Sequence, residues 1–149
     1  MNTKVMFSTG QDEYSTPQDL YDDLNKKYKF TLDPCSTHEN HKCEKYYTKA
    51  EDGLKQNWGG EVVFMNPPYS KKCKKTGNPG QEAWIKKAFE ESRNGAIVVG
   101  LLPARTDTIA FHEYILGKAK ITFIKGRLKF GGCKDAAPFP SMIVEWIPR

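Results

Sequence analysis

Residues 96–102, Ala-Ile-Val-Val-Gly-Leu-Leu, run without a single polar side chain. A strand of that kind has no face fit for water, so it needs cover above and below, as a central parallel strand has. Around it the chain alternates between strand and helix patterns. Residues 61–65 (Glu-Val-Val-Phe-Met) predict another strand, bounded by Gly59-Gly60 before and Asn66-Pro67-Pro68 after. Residues 30–32 predict a short strand that ends at Asp33-Pro34, and residues 119–124 a further one. Ser15 or Thr16 followed by Pro17 marks a helix start, and the helix runs to about Tyr28 with Leu20, Tyr21, Leu24 and Tyr28 on one side. Residues 81–93 predict a helix with Trp84, Ile85, Ala88 and Phe89 as its apolar stripe, and residues 108–116 a second helical stretch. Residues 127–130 and 142–147 look like a closing antiparallel pair. Strands alternating with helices argue for an α/β sandwich around a mainly parallel sheet.

At 149 residues the chain has the size of one domain, spanning 1–149. Residues 1–13 are expected to be flexible, and residues 70–80, with their lysines, Gly77, Asn78, Pro79 and Gly80, to form a mobile loop. No apolar run reaches the roughly 18 residues of a membrane span, and Met1 to Gly10 lacks the apolar centre of a secretory signal. The expectation is a soluble, cytoplasmic protein with no membrane partner. Its four cysteines are then expected to stay reduced. Cys35, His38, His41 and Cys43 fall close together, but their spacing crowds a tetrahedral site and matches no finger. They read as loop and core residues, and no metal is expected.

Charge is unevenly placed. Residues 70–80 hold Lys71, Lys72, Lys74 and Lys75 with no acid. Residues 117–134 hold Lys118, Lys120, Lys125, Arg127, Lys129 and Lys134, again with no acid. The net charge is +5, so the rest of the chain is acidic. Two basic patches on an acidic body suggest a polyanion met at one face, although solvated loop lysines would give the same pattern.

In open α/β sheets ligands sit at the carboxyl ends of the strands, and both Asp33-Pro34 and Asn66-Pro67-Pro68-Tyr69 lie directly after an apolar strand. Two prolines fix the backbone, remove two N–H donors and leave carbonyls to face the site. An Asn amide oxygen beside a backbone carbonyl makes a rigid pair of acceptors, suited to an –NH2 group with two donors. An aromatic ring three residues on can stack on a planar amide or base. The tetrapeptide therefore describes a cradle for a planar amino-bearing group.

Asn66-Pro67-Pro68-Tyr69 after a hydrophobic strand resembles the catalytic signature of amino-group methyltransferases that use S-adenosylmethionine. The wider pattern resembles the phage-type DNA N6-adenine methyltransferases, the Dam-like family. It includes Ser15-Thr16-Pro17, Leu32-Asp33-Pro34-Cys35, Glu51-Asp52-Gly53-Leu54 with Trp58, and Leu101-Leu102-Pro103-Ala104-Arg105-Thr106-Asp107-Thr108. Gly126-Arg127-Leu128-Lys129-Phe130 and Pro138-Phe139-Pro140-Ser141 complete it, so the likeness spans nearly the whole chain.

That resemblance implies a minimal Rossmann-like methyltransferase fold and adenine in double-stranded DNA as substrate. It implies that the Asn66 oxygen and the Pro67 carbonyl accept the two N–H bonds of adenine N6, that Pro68 holds the loop, and that Tyr69 stacks on the flipped base. Thr16, Pro17, Asp33, Pro34 and Cys35 would hold the methionine end of the cofactor, and Asp52, Gly53 and Leu54 its adenine. The glycine-rich loop usual after the first strand is absent, and Ser36 would donate a bond in its place. Glu44 is a candidate acid for the ribose. Lys71, Lys72, Lys74, Lys75, Arg105, Arg127 and Lys129 would meet DNA, with Phe130 packing near the base. With no room for a recognition domain, specificity is loop-encoded, weak, or supplied by a second subunit, a homodimer among the arrangements. RNA adenine, cytosine N4, a protein glutamine, and a non-catalytic nucleic-acid-binding module stand as alternatives.

Overall fold

The computed structural model describes residues 15–69, 73–75, 77–131 and 135–148. The expected flexible stretch 1–13 lies outside the described residues, as do positions 70–72 and 76 of the expected loop. Helix α1 (Gln18–Tyr28) is followed by strand β1 (Val62–Met65), helix α2 (Gln81–Arg93), β2 (Ile97–Pro103), β3 (Lys120–Phe123) and β4 (Ser141–Trp146). Short turns lie between, a 3-10 turn at Gly53–Lys55 and a single π-type turn at Phe111–Ile115, closed by Leu116 N–H donating to Phe111 O at 2.8 Å.

The strands lie in the order β1-β2-β4-β3. β1 and β2 are parallel, whereas β4 is antiparallel to both β2 and β3. The sheet is thus mixed, which corrects the expected mainly parallel one. The expected closing pair is corrected too: β4 pairs with β2 and with β3, and residues 127–130 form no strand. Every residue of β4 is buried, so it takes an interior place, between β2 and β3. The 30–32 strand shrinks to isolated parallel bridges, Leu32 to Val63 and Asp33 to Tyr46, which still set Asp33 beside the carboxyl end of β1.

Side chains alternate across the sheet into two cores. One face carries Val63, Met65, Val98, Leu102, Met142, Val144 and Trp146 under α2, Trp58 and Phe111. The other carries Phe64, Val99, Leu101 and Ile143 under Tyr21 of α1, Tyr69 and Phe130. β2 is covered on both sides, as its composition demands. Helix α1 ends in a left-handed Lys29 whose N–H donates to Asn25 O at 2.9 Å. Its last turn is pinned to β4, where Tyr28 Oη donates to the buried carboxylate of Glu145 and Lys27 Nζ lies 3.6 Å away. Burial and that carboxylate together raise the Tyr28 phenol well above its ordinary value.

Register decides which loops share an edge. β1 and β2 end at the same side because they are parallel. Ser141 opposes Pro103, and Phe123 opposes Met142, so the start of β4 and the end of β3 lie on that side as well. Segments 66–80, 104–108 and 124–140 therefore all leave one edge of the sheet.

Two of the short motifs meet in space. Trp58 is fully buried, and its Nε1–H donates to Gly53 O at 3.0 Å, which explains the five-residue spacing. Gly53 in turn lies flat on Pro34, and a Cβ there would stand 2.1 Å from the Pro34 carbonyl oxygen. Gly53→Ala is therefore expected to lower stability by about 1–3 kcal/mol through overpacking against backbone, as read from its denaturation midpoint.

Candidate active site

The carboxyl ends of the first strands open onto a cleft of about 1060 Å³. That is at the top of the roughly 300–1,000 Å³ range of small-molecule sites. Thr16, Asp33, Pro34, Cys35, Ser36, Asp52, Gly53, Leu54, Asn66 and Pro68 all line it, so segments far apart in sequence share one wall.

Asn66 is the first residue past β1. Its Nδ2–H donates to Thr16 Oγ1 at 2.9 Å, and Thr16 is buried. Engaging the amide nitrogen fixes the plane of the amide and the direction of Oδ1, so Asn66 is oriented as an acceptor. Thr16 does not cap α1: Pro17 sits at the cap position, makes no side-chain cap bond, and lies outside the residues that line the cleft. Pro67 is buried and Pro68 half-buried, and only Pro68 lines the cleft.

Tyr69 turns away from the cleft. Its ring centroid lies 5.1 Å from Phe139 and 6.1 Å from Phe130, the latter contact edge-on at 88°. Its hydroxyl donates to Leu101 O at 3.4 Å, and only 6% of the residue is exposed.

Asp33 is almost fully buried, with 4% exposure. Lys42 N–H donates to its Oδ2 at 3.0 Å, and the Cys35 N–H is a second donor. Burial dominates all the same and pushes the carboxyl up to about 6, against the opposing pull of these two N–H groups, His41 and Lys42. Asp52 has a left-handed backbone (φ 56°), and its Oδ1 accepts from Leu54 N at 3.2 Å, so one of its oxygens shapes the turn. The Ser36 Oγ is buried with no hydrogen-bond partner among the described residues.

The Cys/His cluster disperses into other contacts. His41 stacks on Tyr46 at 3.8 Å, His38 Nδ1 lies 2.6 Å from Tyr46 Oη, and Cys43 lies buried against the Tyr21 hydroxyl. Among the described residues no three His, Cys, Asp or Glu converge to hold a metal.

Of the basic residues, Lys71 and Lys72 lie outside the described residues. Lys74, Lys75, Arg105, Arg127 and Lys129 are exposed, and none is in an ion pair among the described residues. All five belong to segments that leave the same sheet edge as Asn66. Phe130 is buried in the aromatic cluster. Among the described residues, no helix is long and apolar enough to cross a membrane. Glu44 is exposed and outside the cleft wall.

The family model for "DNA N-6-adenine-methyltransferase (Dam)" matches residues 3–146. The chain belongs to that family. Among its relatives, a DNA N-6-adenine-methyltransferase of Escherichia phage T1 is 33% identical over 120 residues, covering 79% of this chain and 47% of that protein. A DNA N-6-adenine-methyltransferase of Haemophilus phage HP1 (strain HP1c1) is 32% identical over 157 residues, covering 99% of this chain and 84% of that protein. The chain thus spans about half the length of the T1 relative and most of the HP1 relative.

Trp84 and Lys42 are among the residues of the cleft in this family member that sequence reasoning did not assign. Trp84 lines it while stacking on Trp58 at 6.3 Å, and its place in the apolar stripe of α2 suggested core alone. Lys42 lines it as well, with only its nearness to the Cys/His cluster to draw notice.

Asp33 gives the site a pH signature. Its folded value of about 6 is above the ordinary 3.8, so the native state binds the extra proton. The contribution to stability is full below about pH 4 and is lost as pH rises through about 6, by an amount of order 2–3 kcal/mol. Asp33→Asn should remove this slope, whatever its constant offset. Denaturant midpoints of the two proteins measured between pH 4 and 8 would show parallel curves if Asp33 carried no such penalty.

Proposed function

We propose that this chain transfers the methyl group of S-adenosylmethionine to N6 of an adenine turned out of double-stranded DNA. The observation that carries it is Asn66, its amide oriented by Thr16, in one cleft with Asp33-Pro34-Cys35 and Asp52-Gly53-Leu54. Membership of a DNA N-6-adenine-methyltransferase family supports the choice of base.

The residues present suit that cofactor. Asp33 is a buried carboxylate with no cation within 4.0 Å among the described residues, and a cationic ligand end would relieve its burial. The close approach of Gly53 to Pro34 leaves a flat wall beside Leu54 and Trp84, fit for a planar ring. When bound, the cofactor would supply an electrophilic methyl carbon on its sulfonium and, once the S–C bond breaks, would leave as the neutral thioether.

Adenine N6 is a weak nucleophile because its lone pair is delocalised into the ring. Asn66 Oδ1 and the Pro67 carbonyl would accept its two N–H bonds, localise the lone pair and stabilise the positive charge that grows on nitrogen. The prolines hold both acceptors still, so little reorganisation accompanies the transfer. Alignment of N6 with the methyl carbon supplies much of the rate. Tyr69 would offer its ring to the base once Phe139 moves aside, replacing stacking given up in the duplex. The exposed cations at the same edge would take the phosphates, giving affinity with little sequence information.

Labelled-methyl cofactor, unmethylated DNA and nucleoside analysis of the product test the reading. N6-methyladenine is the expected product. Asn66→Ala should lower the rate by roughly 10²–10³ or more while cofactor affinity changes little. Equal loss of both would remove Asn66 from the chemistry, and N4-methylcytosine as product would keep the site and change the base. Replacing Lys74, Lys75, Arg127 and Lys129 together with alanine should weaken DNA binding. The slope of log affinity against log salt should fall by roughly 0.9 for each phosphate that is no longer neutralised. An unchanged slope would leave these side chains as bystanders.

A further inference from the structure

The cleft needs an answer to the missing glycine-rich loop. In its place the wall after Asp33 runs on to Lys42, whose backbone N–H donates to Asp33 Oδ2 at 3.0 Å. One hydrogen bond therefore ties a buried carboxylate to the residue that bears a cation, and both line the cleft. The two side chains do not pair directly, although the Lys42 charge favours the ionised form of Asp33. No carboxylate lies within 4.0 Å of Lys42 Nζ among the described residues, and its amine donates instead to the neutral Gln18 Oε1 at 2.7 Å.

Gln18 is the first residue of α1, so the Lys42 amine is held beside the start of a helix that follows Thr16. The ammonium is the group there that favours an anion, since the first turn already carries Asp19 and Gln18 Nε2 donates to Asp22 Oδ1 at 2.9 Å. Lys45 offers a contrast, since its amine is bonded to Glu61. Asp33, an acceptor of cations, and Lys42, a donor to anions, both line the cleft and are linked through one backbone hydrogen bond, a pairing that suits a zwitterion whose two charges sit on one carbon.

We propose that Lys42 is the carboxylate-holding residue of the cleft, receiving the α-carboxylate of the cofactor's methionine end while Asp33 receives its α-ammonium. The proposal rests on the S-adenosylmethionine reading and assigns how that end is held. Lys42 is a positioning residue: it fixes the amino-acid tail and thereby the direction of the sulfonium methyl toward Asn66. The neutral bond to Gln18 is given up or shared when the carboxylate arrives.

The test is binding, measured by calorimetry on the full chain, with no turnover involved. Two ligands are compared: S-adenosylhomocysteine, and the same thioether with its carboxyl group replaced by hydrogen. For Lys42→Met, S-adenosylhomocysteine should bind ~10- to 100-fold more weakly than to the unaltered protein, the effect of losing a charge-assisted bond. The decarboxylated ligand should bind both proteins alike, and Lys42→Arg should restore most of the affinity. Equal weakening of both ligands would show that the substitution disturbs the cleft as a whole and would overturn the proposal, as would an undiminished affinity for S-adenosylhomocysteine. Should the unaltered protein bind neither ligand, the cofactor reading itself fails and takes this assignment with it.

Discussion

Strand β2 has no side that can face water, and the architecture follows from covering it. From Val98 to Leu102 every residue is buried, with alternate side chains entering two separate cores. One core is roofed by α2 and the other by α1 with the aromatic residues of the 124–140 segment. Because β1 runs parallel to β2 while β4 and β3 alternate in direction, the connections that carry polar and basic residues leave from one edge. The apolar demand of a single strand thus concentrates Asn66, Arg105, Arg127 and Lys129 at one end of the molecule.

The cleft at that edge is assembled from residues under tension. A carboxylate as deeply buried as Asp33 opposes folding above its raised pKa, and two backbone N–H groups compensate only part of the desolvation. Gly53 is pressed against Pro34 with no room for a side chain, and Trp58 holds its carbonyl from below. Thr16 Oγ1 accepts from the Asn66 amide and does not cap α1.

The aromatic cluster separates two aspects of Tyr69 that its sequence position merges. Following Asn66-Pro67-Pro68, the ring belongs to the strand-end loop, yet it packs in the opposite core against Phe130 and Phe139. The Asn66 amide and the Tyr69 ring therefore lie on different sides of the same loop.

The local pieces were legible in the order of residues: helices at 18–28 and 81–93, the strand after which Asn66 stands, and the motif residues of the cleft wall. Those follow from periodicity, proline and glycine placement, and apolar runs, which act over a few residues. The place of β4 inside the sheet was not legible, because both interior strands look equally apolar from sequence and pairing is set by long-range packing. Folding alone brought Gly53 onto Pro34, joined Thr16 to Asn66, and put Trp84 and Lys42 into the cleft. An amphipathic stripe or a lone lysine has no signature of what it will face until the chain has closed around it, and that contact is fixed by register and crossing, not by neighbours in sequence.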